Sequence, residues 1–361
     1  MPALRVLHVN TERGWRGGEN QVYLLHRGLV ATGVDSTVLC RGGESLAARL
    51  TAEDLPLATI PSGPLFTART AWAIRAAASQ GTIIHVHASA AHSAGRLGVS
   101  GTSAPLIVTR RVDFPLKRGV IARWKYGRRV TRFVAISQAV AGVLTRGGVD
   151  PAWVVVIPSA GQEPAPPGTT SPLTKAALGV PEDHLVVLCA AALVEHKGHH
   201  HLLEAWRRLE ARGLRASLLL AGIGEHEADL RAYASGLANV RFLGWRDDLP
   251  RLFALTDLFA LASLEEGLGS VLIDAQLAGL AVVATTAGGI PEVVAHGVSG
   301  LLVPPADPTA LAEALDQLLA DPALRTRLAA GARANGRMFL ADTMVQRYQD
   351  LYSLLPSTSS R

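Results

Sequence analysis

At 361 residues, with 48% hydrophobic and 18% charged side chains, the chain is too long for one ordinary core and too apolar for a disordered segment; two domains of roughly 150–180 residues suit it. Its two cysteines, Cys40 and Cys189, each lie inside an apolar run, which argues against a disulfide or metal framework and for small buried hydrophobes in a reducing compartment. The net charge of +5 is the sum of +10 over residues 1–165 (19 Lys and Arg against 9 Asp and Glu) and −5 over residues 166–361 (16 against 21), so the basic half is expected to meet something anionic and the two halves different partners.

Arg5 and His8 interrupt the first apolar run, so no secretory leader is expected. Apolar runs at 4–10, 36–40, 82–87, 105–109, 133–136 and 154–157 then predict strands, with helical periodicity between several of them, as at 20–31 and 138–145. Pro158, Pro164, Pro166, Pro167, Gly168 and Pro172 follow, the densest proline cluster in the chain and a natural boundary. The alternation restarts with strands at 185–191, 217–221, 240–243, 258–261, 281–284 and 300–303 and helices at 199–212, 225–235, 269–278, 309–319 and 322–335. The longest apolar run, 185–194, is about half a membrane span. An amphipathic stretch at 342–355 precedes a polar tail, 357–361, expected to be disordered.

Strands alternating with helices predict an α/β fold of two doubly wound, Rossmann-like domains facing across a cleft, with ligands outside the carboxyl ends of the strands. The expected division is 1–163, 172–340 and a last helix at 341–355 packing back towards the first domain.

Chemistry concentrates between Ser263 and Leu280, where the strand at 258–261 runs into Glu266-Gly-Leu-Gly269 and then a helical pattern. Glycines let a ligand approach the backbone, and the free N–H groups of Leu268, Gly269 and Ser270 would offer an anion site. Glu266 sits on the loop and Asp274 inside the helix, eight residues on, a spacing that could bracket a diphosphate. Read alone, the segment is equally a capping turn with solvated carboxylates. Lys197-Gly198, the turn around Gly222 and Gly224, and Gly288-Gly-Ile-Pro-Glu292 place further strand–turn–helix junctions on the same sheet edge.

With these residues in hand the chain resembles the retaining nucleotide-sugar glycosyltransferases of family 4, of the two-Rossmann-domain GT-B type. The resemblance rests on Leu193-Val-Glu-His-Lys-Gly198, Phe242-Leu-Gly244, Asp257, Ser263 through Gly269, and Gly288 through Val294, with looser matches at Gly14-Trp-Arg-Gly-Gly-Glu19, His85-Val-His87 and Ile157-Pro-Ser159. It implies that Lys197 neutralises the donor diphosphate, that Glu266 contacts donor-sugar hydroxyls and that Asp274 holds the ribose. It further implies that Gly17 and Gly18 form a loop closing on the donor phosphates, and that His87 stands near the transferred sugar. Gly222, Gly244, Leu268, Gly269 and Ser270 are expected to line the donor site. Two positions depart from the family pattern. Asp274 stands where Glu is usual, and Ala191 and Ala192 occupy the places of a usual arginine, a contact worth about 1.5–3 kcal/mol. Arg16 is the expected substitute.

The resemblance implies transfer of a sugar from a nucleotide diphosphate sugar, UDP favoured over GDP, to a hydroxyl of a glycolipid or polysaccharide precursor, with no metal and no further cofactor. The rival readings are a sugar-nucleotide epimerase or hydrolase, and a non-catalytic homologue that only binds. Residues 110–132 hold nine basic residues and one acid; a solvated face and an acceptor or anionic-membrane surface are both open, with Trp124 and Tyr126 at headgroup level in the second case. Nucleic acid is not expected. His196, His199, His200 and His201 lack the partners of a metal site, and His87 rather than His85 is taken for the cleft. The expected location is the cytoplasm, peripheral at the inner face of the membrane.

Overall fold

The computed structural model describes residues 4–79, 81–116, 119–127, 129–164 and 171–355. Lys117, Arg118 and Arg128 of the basic runs, Pro166, Pro167 and Gly168 of the proline cluster, and the tail at 357–361 lie outside the described residues. The chain divides into two compact units, Met1–Ala160 with Ala341–Arg361, and Gly161–Leu340.

The first unit is built on seven parallel strands: β1 (Arg5–Asn10), β2 (Asp35–Arg41), β3 (Leu57–Ile60), β4 (Ile83–Val86), β5 (Leu106–Arg110), β6 (Arg132–Ala135) and β7 (Val154–Val156). Their order is β3-β2-β1-β4-β5-β6-β7, with Val6 level with Ser36 on one side and Ile83 on the other. Central strands of a parallel sheet are covered on both faces, and β1 from Val6 onward and all of β4 are accordingly buried, polar positions included. Helix Gly17–Ala31 buries Val22, Tyr23, Leu25 and Leu29, and the last helix, Ala341–Ser353, adds Met344, Val345, Tyr348, Leu351 and Tyr352 to the same core. Gly28 makes that contact: a Cβ there would run into Val345.

The second unit carries β8 (Leu185–Ala190), β9 (Ala216–Ala221), β10 (Val240–Gly244), β11 (Leu258–Leu261), β12 (Ala281–Thr285) and β13 (Gly300–Val303), all parallel, in the order β10-β9-β8-β11-β12-β13. Its late helices start as their sequences dictate. Asp307 accepts from the N–H groups of Thr309 and Ala310, Asp321 accepts from that of Leu324, and a proline follows each at the first helical position. The α/β fold of two doubly wound, Rossmann-like domains is thus the one expected.

Backbone partners fix the boundary between Ala160 and Gly161, three residues before the expected position. The Gln21 side-chain amide donates to the Ala160 carbonyl (2.6 Å) and accepts from its N–H (2.7 Å), whereas Gly161 N–H donates to Phe339 O (2.9 Å). Among the described residues no helix is long and apolar enough to cross a membrane.

Candidate functional site

In the second unit the strand order reverses between β8 and β11, so the loops that follow these strands diverge and leave room at the carboxyl edge of the sheet. Those two loops carry Lys197 and Glu266. The Lys197 ammonium lies 2.5 Å from Glu266 Oε2, with side chains only 19% and 13% exposed. Ser263 Oγ donates to the same oxygen at 3.3 Å, and Ser263 is itself held by Thr285, whose hydroxyl donates to its carbonyl (2.6 Å). Backbone bonds lock the loops together. Leu264 N–H donates to His196 O (2.8 Å), and Gly289 N–H of the second glycine turn donates to Glu266 O (2.9 Å).

Two glycines make this geometry accessible. Gly198, with φ of +65°, opens helix His199–Glu210, and a Cβ there would strike the Ala262 carbonyl. Gly269, with φ of +83°, opens helix Ser270–Leu277, so the helix begins at Ser270 with its first N–H groups lacking intrahelical acceptors. Leu268 is buried beneath this turn. Gly222 N–H donates to Gly244 O (2.8 Å), joining the loops after β9 and β10. Lys197, Glu266, Ser263 and the Gly269–Ser270 helix start therefore form one constellation.

Asp274 lies just past the first turn of that helix, its carboxyl against Gly161 and accepting from the Gln162 N–H; burial pushes its pKa up to about 7. Asp257, one of the matched residues, accepts from the Val186 N–H (2.8 Å) at the far edge of the sheet, where its role is to hold β8 and β11 in register.

The first unit gathers a second set at its own carboxyl edge. His85 and His87 face the same side of β4, with ring centroids 4.0 Å apart. His87 Nε2 lies 3.0 Å from His8 Nδ1, and Arg111 Nη2 lies 3.5 Å from His87 Nδ1. His85 is spent on structure, its nitrogens 2.7 Å from the hydroxyls of Tyr352 and Thr109. One ring nitrogen from each of the three histidines falls within 4.8 Å of the others. Burial holds all three rings well below the usual histidine range, and their mutual proximity pushes the same way. Arg16 and Gly17 are exposed at the start of helix Gly17–Ala31; Arg16 N–H donates to the buried Glu19 carboxylate (3.0 Å), which also accepts from Asn10 Nδ2 (3.1 Å).

Tyr126 corrects one expectation. Its hydroxyl accepts from Arg110 Nη1 (3.1 Å) and its ring stacks on Phe133, so it points inward, while Trp124 remains 38% exposed under the Arg96 guanidinium. His199 is buried at its helix start, beside Cys189, and His200 packs edge-on against Tyr233. Burial pushes the Cys40 and Cys189 thiols up to about 11 and about 12.

Sequence reading gave no site role to Arg111, His8, Asn10 or Glu19. Glu19, three residues after Arg16, carried a helix-start spacing; that His8 stands level with His85, and so within reach of His87, becomes visible only once the β1–β4 pairing is known.

Two doubly wound parallel sheets, each with glycine turns and chemistry-bearing side chains at its carboxyl edge, define an α/β protein of the GT-B type. Residues 15–160 match the family model described as Glycosyltransferase Family 4, and residues 171–335 that described as Glycosyl transferases group 1. A D-inositol 3-phosphate glycosyltransferase of Salinispora arenicola is 30% identical over 345 residues, covering 84% of this chain and 75% of that protein. The chain belongs to glycosyltransferase family 4. The lipopolysaccharide core biosynthesis glycosyltransferase LpsE of Rhizobium meliloti is 37% identical over 165 residues, 45% of this chain; the match spans 47%, about half, of LpsE's own length. Among solved structures, Anabaena Alr3699/HepE in complex with UDP-glucose superposes with a TM-score of 0.85 at 23% identity, over 98% of this chain and 100% of that one.

Proposed function

We propose that the protein is a retaining glycosyltransferase that takes a sugar from a nucleotide diphosphate sugar, UDP-linked before GDP-linked, and passes it to a hydroxyl of a glycolipid or polysaccharide precursor of the cell envelope. The observation that carries this reading is the Lys197–Glu266 pair at the switch point, beside a helix start whose first N–H groups have no intrahelical acceptors. Charge develops on the diphosphate as the sugar leaves, and Lys197 with those N–H groups meets it without a metal. Glu266, already oriented by Ser263, accepts from sugar hydroxyls and fixes the donor for attack. Asp274 holds the ribose, and Gly222 and Gly244 line the nucleotide.

Family membership supports transfer chemistry, the UDP-glucose bound to the Anabaena protein supports the donor class, and the likeness to LpsE supports an envelope role. The acceptor belongs to the first unit in this reading. The basic run at 110–132, with exposed Val120 and Trp124, rests against anionic lipid at the cytoplasmic face.

A calorimetric and thermal-shift panel of UDP-, GDP- and ADP-sugars on wild type and Glu266→Ala tests the reading. At a hundredfold excess over its Kd a donor stabilises by about 2.7 kcal/mol, so one nucleotide sugar should protect the wild type and do so less in the variant. Silence of every donor at millimolar concentration would sink the donor site. Binding without turnover across an acceptor panel would favour a non-catalytic homologue, the reading that Ala191 and Ala192 keep open.

A further inference from the structure

All five histidines of the first unit, His8, His26, His85, His87 and His92, are buried, whereas of the seven in the second unit only His199 is. Three of the five form one cluster: His8 on β1 and His85 and His87 on β4 have ring centroids 4.0–5.3 Å apart. Hydrogen bonds fix where their protons sit. A guanidinium only donates, so Arg111 Nη2, 3.5 Å away, meets a lone pair on His87 Nδ1. The proton of a neutral His87 is then on Nε2 and points to His8 Nδ1 at 3.0 Å. His8 in turn carries its proton on Nε2, which is buried with no acceptor. An added proton has no good place in this chain. On His87 Nδ1 it faces the guanidinium, and on His8 Nδ1 it faces the N–H of His87.

The elements packed around the cluster do not compensate an imidazolium. Helix Gly17–Ala31 brings His26, with its ring centroid 6.2 Å from that of His8, and Glu19, whose carboxylate acts on Arg111 but accepts from Asn10 and the Arg16 N–H. Helix Ala341–Ser353 brings the neutral hydroxyls of Tyr348 and Tyr352, bonded to Thr109 and His85. Arg111, after β5, adds a cation that opposes a second one at His85 and His87. Among the described residues no carboxylate bonds to any of the three rings. Burial, and then the rings' own proximity, hold His8, His85 and His87 well below the usual histidine range; burial brings His26 down to about 4 and His92 to about 3. Burial raises the Glu19 carboxyl, which works in the opposite sense, one group against several.

We propose that the His8–His87 pair and the rings around it make the first unit an acid-sensitive element, which mild acid opens reversibly while the second unit stays folded. Imidazoles of the unfolded chain titrate near pH 6.5 and take up protons first as pH falls. Each histidine kept neutral in the fold therefore raises the unit's opening constant about tenfold one pH unit lower. The first unit's stability is whole above about pH 6.5 and is lost below it. In the second unit only His199, held to about 4 by burial, works in this sense, and Asp274, raised to about 7, works against it. The opening itself does not depend on the transferase reading. Where that reading holds, acceptor binding is lost in mild acid and nucleotide binding remains.

Hydrogen exchange of the full chain by mass spectrometry tests this, on wild type, His8→Gln and His87→Gln at about pH 7.5 and about pH 5.5, with exchange times scaled for the intrinsic rate. In wild type the opening constant of segments covering β1 and β4 should rise about a hundredfold or more at the lower pH. That of segments covering β8 and β11 should rise by no more than about threefold, because Asp274 offsets His199. Return to the higher pH should restore protection. Each variant should cut the first unit's rise by about tenfold, since it removes one suppressed titration. A rise of equal size in both units, or none in either, overturns the proposal. So does a wild-type rise that both variants keep in full. Should neither variant fold, the wild-type contrast between the two units decides alone.

Discussion

Asp274 presents its carboxyl to the Gly161–Gln162 backbone, and its pKa of about 7 against an ordinary 3.8 makes it a reporter of that contact. A carboxyl whose folded pKa is raised leaves stability untouched below the unfolded pKa. It then removes stability as pH rises from about 4 through about 7, because the unfolded chain ionises first. Three units bound the loss at about 4 kcal/mol, and partial solvent access brings it to on the order of 2 kcal/mol. Asp274→Asn keeps an oxygen for the Gln162 N–H and has no charge to bury. Its Tm should therefore fall less than that of wild type between pH 4.5 and 7.5, by roughly 4–8 °C for a domain of this size. Parallel Tm–pH curves for the two proteins would show that Asp274 is ionised without penalty. At the same scale, Lys197→Ala should lower kcat/KM by two orders of magnitude or more, because it removes a charge aimed at the leaving group; near-wild-type kinetics would remove Lys197 from the chemistry.

The strand–turn–helix junction is the repeated element, and its glycines serve two different purposes. Gly43, with φ of +77°, has nothing within 4 Å of a would-be Cβ, so Gly43→Ala meets only backbone strain and should cost about 1 kcal/mol. Gly198 combines a positive φ with backbone contact at Ala262, so Gly198→Ala must move the Lys197 loop and should cost at least about 3 kcal/mol. Urea unfolding of both variants measures the difference, and equal costs would mean that the Ala262 approach relaxes freely. These junctions also mark what the sequence made legible. β8, β11 and β12 read directly because central parallel strands are unbroken apolar runs. β3, Leu57–Ile60, did not, because at the sheet edge Ala58 and Thr59 face solvent and no apolar run forms. Lys197 and Glu266 were legible because each sits in a local motif beside its strand. Arg110 and Arg111 are indistinguishable as a dipeptide: the end of β5 sends one to Tyr126 and the other to His87 and Ser159, a separation made by tertiary packing alone.

For the whole molecule the decisive fact is that the first unit is discontinuous in sequence. Its sheet and most helices come from Met1–Ala160, but its core is closed by Ala341–Ser353, which the chain delivers only after the second unit is complete. Met344, Val345, Tyr348, Leu351 and Tyr352 are all buried against Val22, Tyr23, Leu25 and Leu29. Full burial of five such side chains contributes about 1.5–3 kcal/mol each, so the helix supplies on the order of 10 kcal/mol, comparable with the entire stability of a domain. Two of its tyrosines also satisfy buried polar groups, Tyr352 at His85 (2.7 Å) and Tyr348 at Thr109 (3.3 Å), which truncation would orphan. The second unit has its own six-stranded sheet and core within Gly161–Leu340. A chain ending at Leu340 should therefore lose the first unit's unfolding transition in calorimetry while keeping that of the second, and should still bind a nucleotide through Lys197. A first-unit transition surviving within about 2 °C of its full-length value would show that the last helix is an ornament on a self-sufficient domain rather than the closing piece of its core.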